Sequence, residues 1–508
     1  MRAQGLVLLG MLAIQLQACR FDPSGTNHLS GGDDDVAGAD AATPPRDGGG
    51  ADGNVQPSTP DAGPDPAPPV AVWRSLADGS EQLERQPDLM LQPSAGSAGL
   101  AILIDEGASY QEIDGFGASL TESSAWLLAT RMSQQQRHEL LSKLFDRDVG
   151  IGLNVLRLPI GATDFALASY SYDETPPALN DFSIDHDRQW LIPVLKEIQQ
   201  INPGLHRMAA PWSPPGWMKT TGSMVGGALG PGQRGVLAEY LVDYLSAFAA
   251  EGLPIETLSV QNEPYNLPAA SPGMHMTAQE QAAIIKNQLG PRLLARGLAT
   301  RVLVWDHNWD DLAYAQTVLA DPAARGFVAG TAFHCYGGDA GAQDTLHAAY
   351  PQLGIWLSEC SDTTWVGGYP EILRADARLL IAATRHWARA VLKWNLALDE
   401  THGPQNHGCS ECLGTVEVRR ADGAVTFSAE YFALGHFGKF VAPGAHRVGS
   451  ETHGDAAAVE HVAFVNPDGC LVLVAFNPGA AALSFEVRSA RGTFGYALPA
   501  GALVTFVL

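Results

Sequence analysis

Between residues 150 and 400, short apolar runs alternate with longer stretches whose apolar residues recur every three or four positions. Segments 153–160, 205–211, 255–260, 301–306, 328–336, 355–358 and 391–396 read as buried strands, and the intervening 188–200, 234–251, 278–296, 312–319 and 372–387 read as amphipathic helices. Within 190–198, for example, Leu191, Val194, Leu195 and Ile198 fall on one helical face. Strands followed by helices predict a parallel sheet. Segment 113–118, ahead of the first long helix, brings the strand count to eight, the number that closes a (β/α)8 barrel. An open doubly wound sheet is the competing arrangement, but it would carry a longer glycine-rich loop after its first strand than Gly115-Phe-Gly117.

The pattern changes after a helix-like stretch at 429–441. Segments 459–465, 471–476, 483–487, 493–498 and 503–507 read as strands punctuated by Asn466-Pro-Asp-Gly469 and Asn477-Pro-Gly479, the spacing of a β-sandwich. Strand-like runs at 70–75 and 100–105 precede the barrel and are expected to join that C-terminal sheet. The fold class is therefore α/β, a (β/α)8 TIM barrel at 106–441 with an attached discontinuous β-sandwich from 70–105 and 442–508.

The N-terminal residues follow neither pattern. Arg2 precedes the apolar run Leu6–Ile14, too short to span a bilayer but suited to the core of a signal peptide over 1–19. Leu16-Gln-Ala-Cys19 resembles a bacterial lipoprotein box, which would make Cys19 the site of lipidation; an ordinary secretory signal containing a cysteine is the alternative. Arg20 after that cysteine resembles the pattern of outer-membrane sorting. Residues 20–69 are rich in Gly, Asp, Ala and Pro, with almost no large apolar side chain, and read as a disordered, extended tether. The expectation is an exported envelope lipoprotein, at the outer membrane or cell surface, that meets the membrane only through its lipid anchor.

Charge narrows the partners. The first 70 residues hold nine Asp against three Arg, so the body keeps 18 of the 24 net negative charges. With no basic stripe, such acidity argues against nucleic acid. Cys409 and Cys412 form a lone CxxC, in an exported chain more often a disulfide than half a zinc site. Cys335, Cys360 and Cys470 lie in strand-like runs and read most simply as buried thiols, although Cys335 and Cys360 could meet if their strands are neighbours. No metal cage, cofactor motif or GxSxG elbow is present in the sequence.

Only 17% of the chain is charged, so a carboxylate closing an apolar strand carries information. Glu263 closes the fourth predicted strand and Glu359 the seventh. In a barrel, catalytic groups gather at the C-terminal strand ends, and two carboxyl groups across one cleft are what glycosidic cleavage needs. The same rim would hold Arg157 and Asp164, in the run that ends the second strand, Trp212 after the third and Asn262 before Glu263. His334 and Tyr336 would end the sixth strand, and Trp394 would stand at the end of the eighth. Amides, indoles, an imidazole and a phenol converging in this way suit the hydroxyls and apolar faces of a sugar. Asp306-His-Asn308 would end the fifth strand. Glu122 and Asp114 are weaker candidates, a helix cap and a turn being the simpler reading.

These residues stand in a familiar order of motifs. Gly115-Phe-Gly-Ala-Ser-Leu-Thr121, Arg157-Leu-Pro-Ile160, Pro211-Trp-Ser-Pro-Pro-Gly-Trp-Met-Lys219, Gln261-Asn-Glu-Pro264, His334-Cys-Tyr336, Leu357-Ser-Glu-Cys360 and Trp394-Asn-Leu-Ala-Leu398 resemble glycoside hydrolase family 30, the family of glucosylceramidases and endo-β-1,6-glucanases. The resemblance implies a retaining β-glycosidase with Glu263 as acid/base and Glu359 as nucleophile. It implies Asn262 at the 2-hydroxyl, Asp164 on distant hydroxyls, and Trp212 and Trp394 lining the glycone subsite. Tyr336 would bond Glu359, His334 would orient a carboxylate, Arg157 would hold the acidic cluster, and Asp306–Asn308 would reach toward the aglycone. The substrate would be a β-glucan or another β-glucoside, with no cofactor. A xylan-active member and a non-catalytic carbohydrate-binding surface lipoprotein are the alternatives. A retaining pair also sets an electrostatic expectation, an ionised Glu359 raising the pKa of Glu263 so that the latter holds a proton.

Overall fold

The computed structural model describes residues 69–93, 99–455 and 458–508. Cys19 and residues 20–68 of the tether lie outside these residues.

Eight parallel strands close a barrel: β1 Gly115–Ser119, β2 Val155–Ile160, β3 His206–Pro211, β4 Thr257–Ser259, β5 Arg301–Asn308, β6 Val328–His334, β7 Gly354–Glu359 and β8 Ala388–Leu398, with β8 pairing back onto β1. The strands are almost wholly buried along their length, because helices cover one face and barrel side chains fill the other. Inside the barrel Val155, Met208, Leu303, Ala332, Trp356, Ala390 and Leu392 form one apolar layer. β4 is the shortest strand, three residues where the apolar run suggested six. The helix Ala342–Ala349 between β6 and β7 has no counterpart in the predicted elements. Only Gln343 and Leu346 of it are buried, too few to produce a periodic stripe.

The flanking segments build a nine-stranded sheet in which the two ends of the described chain meet. Val70–Ser75 pairs antiparallel with Leu503–Val507, and Ala101–Glu112 pairs with His446–His453. Ala101–Glu112 runs on beyond residue 105, with its buried positions confined to its first four residues. This β-rich domain encloses its own core, with Ile102, Leu473, Val504 and Phe506 among its members. Helix Ala429–Gly438 bridges the two parts: Phe437 packs on Phe116 of β1, and His436 bonds Thr505 and Ser75 of the sheet.

The cysteines correct the sequence expectation at Cys335 and Cys360 and agree with it at Cys409 and Cys412. Cys335 and Cys360, read as buried thiols, are joined in a disulfide, as are Cys409 and Cys412, and no described cysteine is free. The strand ends of β6 and β7 are adjacent, which carries Cys335 to Cys360, and the bond ties the residue after His334 to the residue after Glu359.

Candidate active site

The C-terminal ends of the strands surround a cleft of about 220 Å³ lined by Asp164, Trp212, Asn262, Glu263, Asn266 and Glu359, with Pro268, Ser271–Gly273 and His407–Cys409 forming its outer walls. At its floor lies Arg157 of β2, fully buried. Its guanidinium donates to Asp306 Oδ2 at 2.9 Å, to Asn262 Oδ1 at 2.6 Å and to Glu359 Oε2. Its Cζ lies 4.8 Å from the centroid of the Trp212 ring. A planar fork satisfies three acceptors and a ring face at once, where an ammonium could not. Trp394 stacks on Trp212 with centroids 4.9 Å apart. It is absent from the cleft lining and supports the wall from behind.

The two glutamates face each other across His334. Its Nδ1 lies 3.0 Å from Glu263 Oε1 and 3.7 Å from Glu359 Oε1, while Nε2 lies 3.2 Å from Asp306 Oδ1. With carboxylates at both nitrogens, the imidazole is held as a cation: against the cost of burial, the charges of Glu359, Asp306 and Glu263 raise it to about 9. Burial works to raise the Glu263 carboxyl too, but the hydrogen bond and charge of His334, with help from His307 and Asn266, bring it down to about 2. Burial pushes Glu359 above the usual carboxylate range, against the pull of His334 and Arg157. This order is the reverse of the one expected from a simple carboxylate pair. The cause is His334, which stands closer to Glu263 and supplies the cation that the two-carboxylate argument left out.

Asp306 is the site residue least visible in the sequence. Expected to reach toward an aglycone, it is fully buried and bonds Arg157, His334 and Ser358 Oγ, the last at 2.6 Å. Trp305 and Asp306 have φ of 72° and 62°, and the pairing of β5 with β6 slips between Trp305 and His307. Two successive left-handed residues turn the carboxylate inward. Glu263 is also left-handed, at φ 42°, with its amide donating to the Asp306 carbonyl at 3.0 Å. The three-residue β4 thus ends in a bend whose conformation is tied to the neighbouring strand.

The remaining residues complete the cleft. Tyr336 donates from its hydroxyl to Glu359 Oε1 at 3.0 Å, and Asn266 Nδ2 donates to Glu263 Oε2 at 2.6 Å. Burial first, then the charges of Glu359 and Glu263, raise the Asp164 carboxyl to about 8, and its Oδ1 has no partner among the described residues. Glu263, His307 and His334 bring ligand atoms within 4.8 Å of one another, and so do Asp362, Asp376 and Glu430. In the first group His334 is already committed to Asp306. In the second, Lys393 Nζ supplies the cation, 2.5 Å from Asp376 and 3.0 Å from Asp362. The two weaker candidates lie away from the cleft lining: Glu122 bonds His186 at 2.6 Å, and Asp114, just before β1, pairs with Arg389 at 2.8 Å.

Known proteins share this fold. Residues 113–441 match the model of the glycosyl hydrolase family 30 TIM-barrel domain, and 444–506 match the family 30 beta sandwich domain. The chain is 34% identical to an endo-1,6-beta-D-glucanase of Neurospora crassa over 72% of its own length and 79% of that protein. It is 28% identical to the lysosomal acid glucosylceramidase of Mus musculus over 76% and 79%. Among solved structures, the endo-beta1,6-glucanase BT3312 superposes with a TM-score of 0.81 at 30% identity, covering 86% of this chain and 99% of that one. The chain belongs to glycosyl hydrolase family 30 and is a β-glycosidase.

Proposed function

We propose that the protein hydrolyses β-glucosidic bonds, with β-1,6-linked glucan as its substrate, by double displacement between Glu359 and Glu263. The observation that carries the mechanism is the shared imidazole nitrogen. Glu263 Oε1 at 3.0 Å and Glu359 Oε1 at 3.7 Å from His334 Nδ1 cannot stand more than about 7 Å apart. That is compatible with the ~5–5.5 Å of a retaining pair and leaves little room for the water of an inverting one. The linkage rests on relatives named as endo-1,6-glucanases, which the chain matches over most of their length.

Arg157 and Tyr336 hold Glu359 as the nucleophile. Substrate entering the cleft displaces water from Glu263 and weakens the separation of charge between it and the imidazolium. The proton on His334 Nδ1 then passes across 3.0 Å to Glu263 Oε1, leaving both neutral. Glu263 delivers that proton to the glycosidic oxygen while Glu359 bonds to the anomeric carbon. Water next attacks that carbon and displaces Glu359 as a carboxylate, giving its proton to Glu263, from which it returns to His334. Asp164, protonated at neutral pH, donates to a sugar hydroxyl through the oxygen that lacks a protein partner, and Trp212 stacks on the ring.

The test is the product of β-1,6-glucan digestion followed by proton NMR. A β-anomer formed first supports the reading. An α-anomer formed first defeats the mechanism, and activity on glucosylceramide or β-xylan without activity on β-1,6-glucan defeats the substrate.

A further inference from the structure

The loop after β3 and the loop after β4 form one wall of the cleft, and a buried lysine clips them together. Val225 and Pro272, and Ala228 and His275, meet in isolated bridges. The amides of Gly273 and His275 donate to the carbonyls of Met224 and Gly227 at 3.1 and 2.8 Å. Lys219, last residue of the Pro211–Lys219 motif, is 5% exposed. Its Nζ donates to the carbonyls of Gly273 and Met224 at 2.6 and 2.7 Å and to Ser213 Oγ at 3.0 Å. No carboxylate among the described residues offsets its charge, and burial alone lowers the amine to about 7. A lysine buried without a counter-ion is costly. A methionine would fill the same volume without that cost, so the position uses the three donors.

The wall so fixed lies on the acid/base side of the cleft. Ser271, Pro272 and Gly273 line the cavity together with Asn266, which bonds Glu263 directly. The group leaving from Glu263 must pass along it. The opposite half is secured by other means: Trp212 stacks on Trp394, Arg157 lies against both rings, and the Trp212 carbonyl accepts from Gln261 Nε2 at 2.8 Å.

We propose that Lys219 is a positioning residue for the leaving-group half of the cleft, holding the 271–273 wall against which the sugar beyond the scissile bond rests. This deepens the functional reading above and rests on Glu263 being its acid. The test compares wild type, Lys219→Met and Lys219→Arg on two substrates. One is a gentio-oligosaccharide. The other is dinitrophenyl β-glucoside, whose small, good leaving group needs neither the wall nor protonation. Lys219→Met is expected to lower kcat/KM on the oligosaccharide roughly tenfold, chiefly through KM, and to stay within about twofold of wild type on the aryl glucoside. Lys219→Arg should recover part of the loss. Equal losses on both substrates, or no loss on either, would overturn the proposal. If the methionine variant does not fold, Lys219→Gln, which keeps an NH2 donor, carries the same comparison. A wild type active only on the aryl glucoside would sink the β-1,6 linkage and leave this proposal standing, with aryl β-glucosides of short and long aglycone then forming the pair.

Discussion

Replacing Arg157 with methionine should damage stability and nucleophile together, in separable ways. The guanidinium is fully buried, pairs with Asp306 and Glu359, and donates to Asn262. Methionine fills part of the volume and leaves Asp306 and Glu359 with the His334 imidazolium, already shared with Glu263, in place of their own guanidinium. Breaking a buried pair by removing one partner costs about 3–5 kcal/mol. The electrostatic effect on Glu359 follows from Coulomb's law: a unit charge about 4 Å away at an effective dielectric near 20 is worth about 4 kcal/mol. That corresponds to about three pKa units before relaxation, and water entering the vacated space should reduce it to about one or two. Glu359 must be ionised to attack, so the acid limb of kcat/KM moves up by that amount. Chemical denaturation and a pH–rate profile on an aryl glucoside measure the two effects. The conservative change Arg157→Lys keeps the charge but not the three-way fork, and should show a smaller shift of the limb with much of the stability loss. A methionine variant that loses rate while its acid limb stays in place would refute the electrostatic role, and unchanged stability would refute the buried-pair argument.

Three other outcomes are expected. Glu359→Gln should lower kcat by at least about 10⁴-fold, whereas Glu263→Gln should still react with dinitrophenyl β-glucoside and yield a β-glucosyl azide when azide is added; a 2-fluoroglucoside label on any residue other than Glu359 would overturn the assignment. His334, raised to about 9 in the folded protein from about 6.5 unfolded, adds stability that is fully present below about 6.5 and is lost as pH rises through about 9. His334→Gln should abolish that alkaline loss, and a wild-type stability curve flat from about pH 6.5 to 9 would contradict the charged imidazole. The paired change Cys335→Ser with Cys360→Ser should lower kcat several-fold, since the bond ties the His334 and Glu359 strand ends; a variant with full kcat and reduced stability alone would show the disulfide to be purely structural.

The barrel was legible because parallel strands buried on both faces are near-continuous apolar runs, and because β7 and the bend after β4 each close on a charged residue in a chain with few. Strand His446–His453 was not legible: it begins with His, Arg and ends with Glu, Thr, His, and only its central residues are buried. In the site, the glutamates could be placed from strand ends alone. The role of Asp306 could not, because it depends on two left-handed residues with no glycine to announce them. The charge order of the glutamates failed for a related reason: it hangs on which carboxylate lies nearer one imidazole, a matter of tenths of an ångström that no spacing encodes. Lys219 gave no signal either, since a terminal lysine in an aromatic motif reads as surface until its carbonyl partners are seen.

The left-handed backbone at Glu263, Trp305 and Asp306 has an evolutionary consequence. A non-glycine residue in this region costs of order 1 kcal/mol or more, and glycine would relieve it. Glu263→Gly or Asp306→Gly would therefore shed strain as well as chemistry, but Asp306→Gly would also strip the fully buried Arg157 of a counter-ion, whereas His334, freed from Glu263, can shed its proton. Drift under selection for folding alone would favour such a change at the acid/base position. A strained glutamate at that position is what selection for turnover, rather than for a stable sugar-binding shell, would leave in a sequence.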